Sequence, residues 1–402
     1  MTDYLLLFLF VVAIATGWLL GRRSRRLVGL SLDRTLPSQY YRGLNFLLDG
    51  QQDGAIDAFT QALEVNTETF DTHVALGNVL RRRGEVERAI RIHQNLLARP
   101  SLPVAQLHLA HLELARDYIS AGLLDRAERL LLDLVGESGE HRRIARRYLL
   151  EIYEAQKDWL QARKVAESLL LKKPRLLQGL AGKEVGQPVP TLLAHYCCEQ
   201  AQLLLEVGES AEARQLLNDA LGYDAMCPRA SMMMGQLELQ EGRPKAAVKA
   251  LLAVKNQDAD FVPDTIQILR SSYLALDNRP ALRRYLEACF ADRPSTTLVL
   301  EIAAEIRDTE GDVAAKRFLR ESLQAKPSLR GLAMLMTLHS EREAGEDERL
   351  QINTLRRLVE QRSQYRCTHC GFRGRQLYWY CPGCKHWGTI RDLGTTGELL
   401  RV

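Results

Sequence analysis

Aromatic residues are scarce in this sequence, at 6% of 402 positions, while Leu, Ala, Arg and Glu are abundant. That balance favours helices, because these side chains lose little freedom in a helix. No flavin or nucleotide-binding fingerprint is present. Charge of one sign is also lacking: a net charge of +4 over this length gives no strong case for nucleic acid or for an acidic partner. Nor are the eight cysteines spread as a disulfide scaffold would need. Cys197, Cys198, Cys227 and Cys289 are scattered through helical sequence, whereas Cys367, Cys370, Cys381 and Cys384 crowd into the last tenth of the chain. The pattern points to a reducing compartment and a single metal site. The charged fraction of 26% and the apolar fraction of 46% are those of a folded chain too long for one ordinary domain.

One long hydrophobic run is present. Tyr4 to Leu20 carries no charge, and Gly21-Arg22-Arg23-Ser24-Arg25-Arg26 follows directly. Seventeen residues at about 1.5 Å each reach roughly 25 Å, near the short limit for crossing a bilayer core. Trp18 sits where an interfacial aromatic belongs. A cleaved signal peptide would carry its positive charge before the run, but Met1-Thr2-Asp3 has none. The expectation is a transmembrane anchor over 1–21, embedded in lipid through residues 4–20, then a basic juxtamembrane linker over 22–38. The arginines place the N-terminus outside and the bulk of the chain in the cytoplasm.

The region 39–362 reads as a helical repeat array. Gly43 and Gly77 are 34 residues apart, as are Gly50 and Gly84, and Ala55 and Ala89. Three landmarks at one 34-residue period mark tetratricopeptide repeats. The glycine at 43 or 77 lets the first helix of a pair approach the second. Gly50 and Gly84 sit where the chain turns, and Ala55 and Ala89 where the backbones nearly touch. Such a pair cannot bury its apolar face alone, so it stacks on its neighbours. The pattern continues at Tyr118, Gly122 and Ala127, then at Tyr153 and Ala162, with Lys157 in place of the turn glycine. It recurs at Ala201, Gly208 and Ala213, and at Gly235, Gly242 and Ala247. Tyr273 with Leu282, and Gly311 with Phe318, are degenerate units, and Arg330 to Gln361 reads as a last helical pair. About eight to nine units are expected. Lys172 to Thr191 stretches one interval to about 51 residues. It reads as a surface loop, with a hinge over 172–191 or a partner site as the alternative. His108 and His111 read as surface residues, Cys197-Cys198 and Met232-Met233-Met234 as core, and Arg81-Arg82-Arg83 as a solvated face with an acidic docking patch as its rival.

Tyr365 to Ile390 carries C-x2-C, ten residues, then C-x2-C. Two such knuckles bring four sulfurs to the corners of a tetrahedron around one ion. The two-residue gap lets one turn supply both ligands, and Gly371, Pro382 and Gly383 suit that geometry. Zinc or a single iron fits four-sulfur ligation. With every position taken by cysteine, no open site remains for hydrolytic chemistry. His369 and His386 read as bystanders beside four better-placed thiolates. Leu377 to Tyr380 alternates as a short strand would. The metal-binding domain is placed at 363–402.

Anchor, array and knuckle in this order resemble the lipopolysaccharide assembly protein B family of Gram-negative bacteria. The likeness lies in Gly77-Asn78 with Arg83 to Gln94, in Met232 to Gly235, and in YRCTHCGF with LYWYCPGCKHWGTI. The fold this implies is an all-α tetratricopeptide solenoid with an N-terminal transmembrane helix and a small rubredoxin-like knuckle. The metal ligands implied are Cys367, Cys370, Cys381 and Cys384, with iron as the ion. The role implied is a non-catalytic adaptor on the cytoplasmic side of the inner membrane. It restrains lipopolysaccharide synthesis by helping a membrane-bound AAA+ metalloprotease degrade the lipid A pathway deacetylase. A membrane lipopolysaccharide-sensing regulator relieves that control, and other lipopolysaccharide assembly proteins are further partners. Rubredoxins usually carry glycine after both cysteine pairs, whereas Lys385 follows the second here, which weakens an electron-transfer role. A redox protein using iron at the knuckle is the alternative function. A nucleic-acid ribbon built on Arg373, Arg375, Lys385 and Arg391 fits poorly with a membrane tether, so no nucleic acid is expected.

Overall fold

A computed structural model of the chain describes residues 70–98, 102–137, 139, 141–170, 186–340 and 345–393, with isolated positions at 42, 43, 45, 46, 54 and 58. The expected anchor, the basic linker, most of the first repeat and residues 172–185 of the proposed hinge lie outside these. Among the described residues no helix is long and apolar enough to cross a membrane. Two compact units divide the chain, Met1–Ile152 and Tyr153–Val402.

The described helices follow one another in pairs. They are α1 (Phe70–Arg82) with α2 (Val86–Leu97), α3 (Val104–Ser120) with α4 (Leu124–Glu137), and α5 (Arg142–Gln156) with α6 (Trp159–Leu170). Next come α7 (Val189–Glu206) with α8 (Ser210–Tyr223), and α9 (Pro228–Gln240) with α10 (Pro244–Gln257). Then α11 (Val262–Ala275) precedes α12 (Arg279–Asp292), α13 (Thr296–Glu310) precedes α14 (Asp312–Ala325), and α15 (Leu329–Ser340) precedes α16 (Glu346–Gln361).

The 34-residue landmarks fall where the backbone needs them. Gly84, Gly122, Gly208, Gly242 and Gly311 end the first helix of their pairs with φ between +73° and +90°, the left-handed region that glycine enters without a Cβ clash. Ala89, Ala127, Ala162, Ala213 and Ala247 are fully buried on the second helix. A Cβ added at Gly235 would lie 2.5 Å from Leu251 Cγ, and one at Gly77 would collide with the His93 ring. In the degenerate eighth unit, α14 begins directly after Gly311, one residue earlier than in the regular pairs. The small buried residue there is therefore Ala315, and Phe318 is only partly buried.

Two pairs make the same turn without glycine. Lys157 and Asp277 take φ of 59° and 52°. Left-handed backbone costs an ordinary residue about 1–2 kcal/mol, and aspartate tolerates it better than lysine. Lys157→Gly should therefore stabilise the protein by about 0.5–1 kcal/mol after glycine's own entropic cost, and Asp277→Gly by less. Thermal melts of both variants check this; a lowered midpoint for Lys157→Gly would contradict it.

Three readings are corrected. Arg81 is not part of a solvated face: its side chain is 9% exposed and pairs with Asp117 at 2.7 Å and Glu113 at 2.9 Å. Asp117 also holds the buried ring of His93. Charges that deep persist only when paired. His108 is buried rather than at the surface, because it shares a face of α3 with Leu112 and Ala115, four and seven residues on. His111 is partly buried, and burial first and His108 second lower its pKa. Residues 377–380 form no strand; only Tyr380 makes an isolated bridge, to Trp387. The backbone there bends to carry its aromatic side chains onto the repeats. Cys197, Cys198 and Met234 are buried in one core cluster, with Met233 packed against it.

After α16 the chain forms a three-stranded antiparallel sheet in the order β2-β1-β3, from β1 (Tyr365–Cys367), β2 (Arg373–Gly374) and β3 (Ile390–Asp392). Its apolar centre is small: Cys367, Cys381 and Ile390, with Tyr365, Phe372, Leu377 and Tyr378 around them.

Candidate metal centre and its docking face

Each cysteine pair sits on a tight turn. The Gly371 amide donates to the Cys367 carbonyl at 3.0 Å and the Lys385 amide to the Cys381 carbonyl at 2.9 Å. Gly371 has φ of +79°, and Lys385 holds the equivalent left-handed conformation at 57°. A lysine thus occupies the backbone position for which rubredoxins use glycine, and the turn is preserved. At Gly383 a Cβ would lie 3.2 Å from Cys370 Sγ, so a side chain there would crowd the cage.

The turns converge. All four sulfurs lie within 4.8 Å of one another, with Cys367–Cys384 and Cys370–Cys381 both at 3.7 Å. A tetrahedral ion about 2.3 Å from each sulfur would hold the sulfurs roughly 3.8 Å apart, so the cage fits one zinc-sized or iron-sized ion. Burial opposes ionisation of Cys367, but the Thr389 hydroxyl and the amides of Cys370 and His369 outweigh it and bring its pKa down to about 6. Cys384 is pushed up to about 12, by burial first and by its sulfur neighbours. Four thiolates this close ionise together only around a cation. When bound, the ion cross-links the two turns. The protein's own contribution is the sulfur cage and the amide and hydroxyl donors around Cys367.

The knuckle does not stand free. It is seated on residues of the second unit that belong to α5, α6, α7, α11 and α13 and to the chain leading into α7 and α11. Trp387 is 2% exposed. Its ring stacks on His195 of α7 at 4.9 Å and meets Trp159 of α6 edge-on at 5.7 Å. Its Nε1 donates to Glu154 of α5 at 3.0 Å. Tyr196 and Tyr380 donate to the same carboxylate at 2.6 and 3.4 Å. The Gln187 amide pairs with the Trp387 backbone in both directions, at 2.7 and 2.9 Å. Trp379 stacks on Phe261 at 4.8 Å. The Arg391 guanidinium lies 4.1 Å from the centre of the Phe261 ring and reaches Asp258 at 2.7 Å. Tyr365 donates to Asp264 of α11 at 2.7 Å, and Thr297 of α13 to Asp392 at 2.9 Å.

This face is partly to fully buried, and its titratable groups register that. Burial, with Arg229 second, lowers the pKa of His195 to about 3, so the ring is neutral against Trp387. Burial raises Glu154 despite its three donors. Burial also raises Asp264 to about 6, aided by the nearby Asp392 and opposed by Tyr365. The Arg229 guanidinium lies 5.9 Å from both knuckle tryptophans and pairs with Glu199 at 2.8 Å. None of Glu154, Gln187, His195, Arg229, Phe261 or Asp264 carries a motif. One signal was available: two of only four tryptophans fall in a knuckle too small to bury them.

Residues 365–392 match the rubredoxin metal binding domain family, and residues 42–101 and 198–260 match the tetratricopeptide repeat family. The chain is 35% identical to lipopolysaccharide assembly protein B of Escherichia coli strain K12 over 393 residues, covering 97% of this chain and 98% of that protein. It is 33% identical to the protein of the same name from Haemophilus influenzae over 401 residues, with the same coverage of both chains. Among solved structures, the C-terminal part of a TPR repeat-containing protein from Cytophaga hutchinsonii aligns over 68% of this chain and 97% of its own, at 10% identity and a TM-score of 0.37.

Proposed function

The chain belongs to the lipopolysaccharide assembly protein B family, and from that premise we propose that it is a non-catalytic, membrane-anchored adaptor regulating lipopolysaccharide synthesis. In this reading it brings the lipid A pathway deacetylase to a membrane-bound AAA+ metalloprotease. A lipopolysaccharide-sensing membrane regulator and other lipopolysaccharide assembly proteins are its further partners. The apolar run Tyr4 to Leu20 holds it in the inner membrane with its repeats in the cytoplasm.

The observation that carries the reading is the seated knuckle. A cage whose four corners are all cysteine leaves no coordination position for substrate. Its surface is spent on Trp387, Trp379, Arg391 and Tyr365 contacts to the repeats. Such a centre fixes one face of the array and leaves the other helices free to carry partners, which is how a scaffold works rather than a reaction centre. The test is the half-life of the deacetylase in cells. Deleting this chain should lengthen it several-fold, and full-length protein should restore it where protein lacking residues 1–21 does not. An unchanged half-life on deletion would overturn the adaptor reading.

A further inference from the structure

We propose that His369 and His386, together with the Cys384 thiolate, form a second cation site on the rim of the knuckle, taking one labile divalent ion of borderline softness such as zinc. The ligand atoms of these three residues lie within 4.8 Å of one another. The two imidazoles stack nearly parallel, with ring centroids 4.1 Å apart and planes 21° from each other, so the exposed His369 ring turns out of the stack for both lone pairs to meet at one ion. The tautomer of His386 is set by its neighbour: its Nδ1 lies 2.8 Å from the Cys384 carbonyl oxygen. The proton is therefore on Nδ1, and the lone pair is on Nε2. That arrangement, one ring nitrogen donating to a carbonyl and the other left open, is how metal-binding histidines are oriented.

The third ligand is already in place for another purpose. Cys384 is partly exposed and Cys370 exposed, while Cys367 and Cys381 are buried; of the two accessible sulfurs, Cys384 is the one beside both imidazoles. A thiolate bound to one ion keeps lone pairs that can bridge to a second. The negative charge of four thiolates around a single divalent ion favours a further cation beside them. His369 is exposed, so an ion can reach the site from solvent. Counting four thiolates for one ion made the histidines bystanders in the sequence. That count overlooked the bridging capacity of a sulfur at the surface. Three protein ligands leave a position for water, as in zinc sites that are not closed, so the second ion should exchange readily while the caged one does not.

The experiment uses the full chain purified in detergent, equilibrated with excess zinc, desalted, and analysed by mass spectrometry for zinc and iron separately. The expected result is one tightly held equivalent of metal plus a second equivalent of zinc that a mild chelator strips alone. His369→Ala combined with His386→Ala should hold one equivalent under every condition. A wild-type chain that takes up only one equivalent in excess zinc would overturn the proposal, and so would a strippable second equivalent that survives in the double variant. Should the double variant lose both ions, His369→Ala decides, because that side chain is exposed: one equivalent is expected, and two would overturn the site.

Discussion

Trp387→Ala should release the knuckle from the repeats while leaving its metal in place. Trp387 touches three helices at once: it stacks on His195, meets Trp159 edge-on and donates to Glu154. Truncating a buried tryptophan costs about 3–5 kcal/mol. Here the loss also leaves the partly buried Glu154 carboxylate one donor short, with its pKa already raised by burial. The four thiolates do not depend on the indole, so metal content should stay at its wild-type level. The measurements are a thermal melt, limited proteolysis of the segment after α16, and metal analysis on the same sample. Trp387→Phe separates the two contributions. It keeps most of the stacking area but removes the donor to Glu154, and should cost about 1–3 kcal/mol. An unchanged midpoint and intact protease resistance in Trp387→Ala would mean that the knuckle is held by other contacts.

The repeats were legible because their geometry repeats in the sequence. Gly84, Gly208 and Gly242 mark positive-φ turns, and the alanines five residues on mark close helix contacts, so one period reports both. Where a unit satisfies the same backbone with another residue, the signal fades. Lys157 and Asp277 make the turn that glycine makes elsewhere, at a conformational cost that no composition rule would anticipate. The cysteine pairs were legible for a similar reason, since C-x2-C fixes a turn locally. The docking face was not. Glu154, His195 and Asp264 are drawn from three different repeats, and each looks in sequence like any polar residue of a helix. What joins them is the seating of a segment more than a hundred residues away, as in the Tyr365–Asp264 and Trp387–Glu154 bonds. Arg81 was misread for a related reason. Its carboxylate partners, Glu113 and Asp117, lie on the next repeat, so three consecutive arginines looked like a solvated run. The aromatic residues of 377–380 alternated like a strand, but the alternation served contact with the repeats.

Cys367→Ser should have the largest effect on the knuckle itself, because the ion replaces the core that this domain lacks. Its strands run three, two and three residues, and its buried cluster has two cysteines among its three fully buried members. Ion binding in closed four-ligand sites contributes about 10–16 kcal/mol to folding, far more than so few apolar contacts can supply. Serine removes one ligand, and with it the thiol that Thr389 and two amides hold at a pKa of about 6. Metal content should fall far below one equivalent, and 365–393 should become sensitive to protease. The repeats should stay helical, since their clusters contain no knuckle residue. They should nonetheless melt earlier than in the wild type. Loss of the knuckle uncovers His195, Phe261 and Arg229 and removes the donors that Trp387 and Tyr380 supply to Glu154. Comparison with Trp387→Ala then orders the two events. If the metal holds the knuckle together and the tryptophan holds it to the repeats, Cys367→Ser loses both metal and seating, whereas Trp387→Ala loses seating alone. A Cys367→Ser protein that keeps a protease-resistant knuckle after confirmed metal loss would show that the repeats, rather than the ion, hold this domain in its folded form.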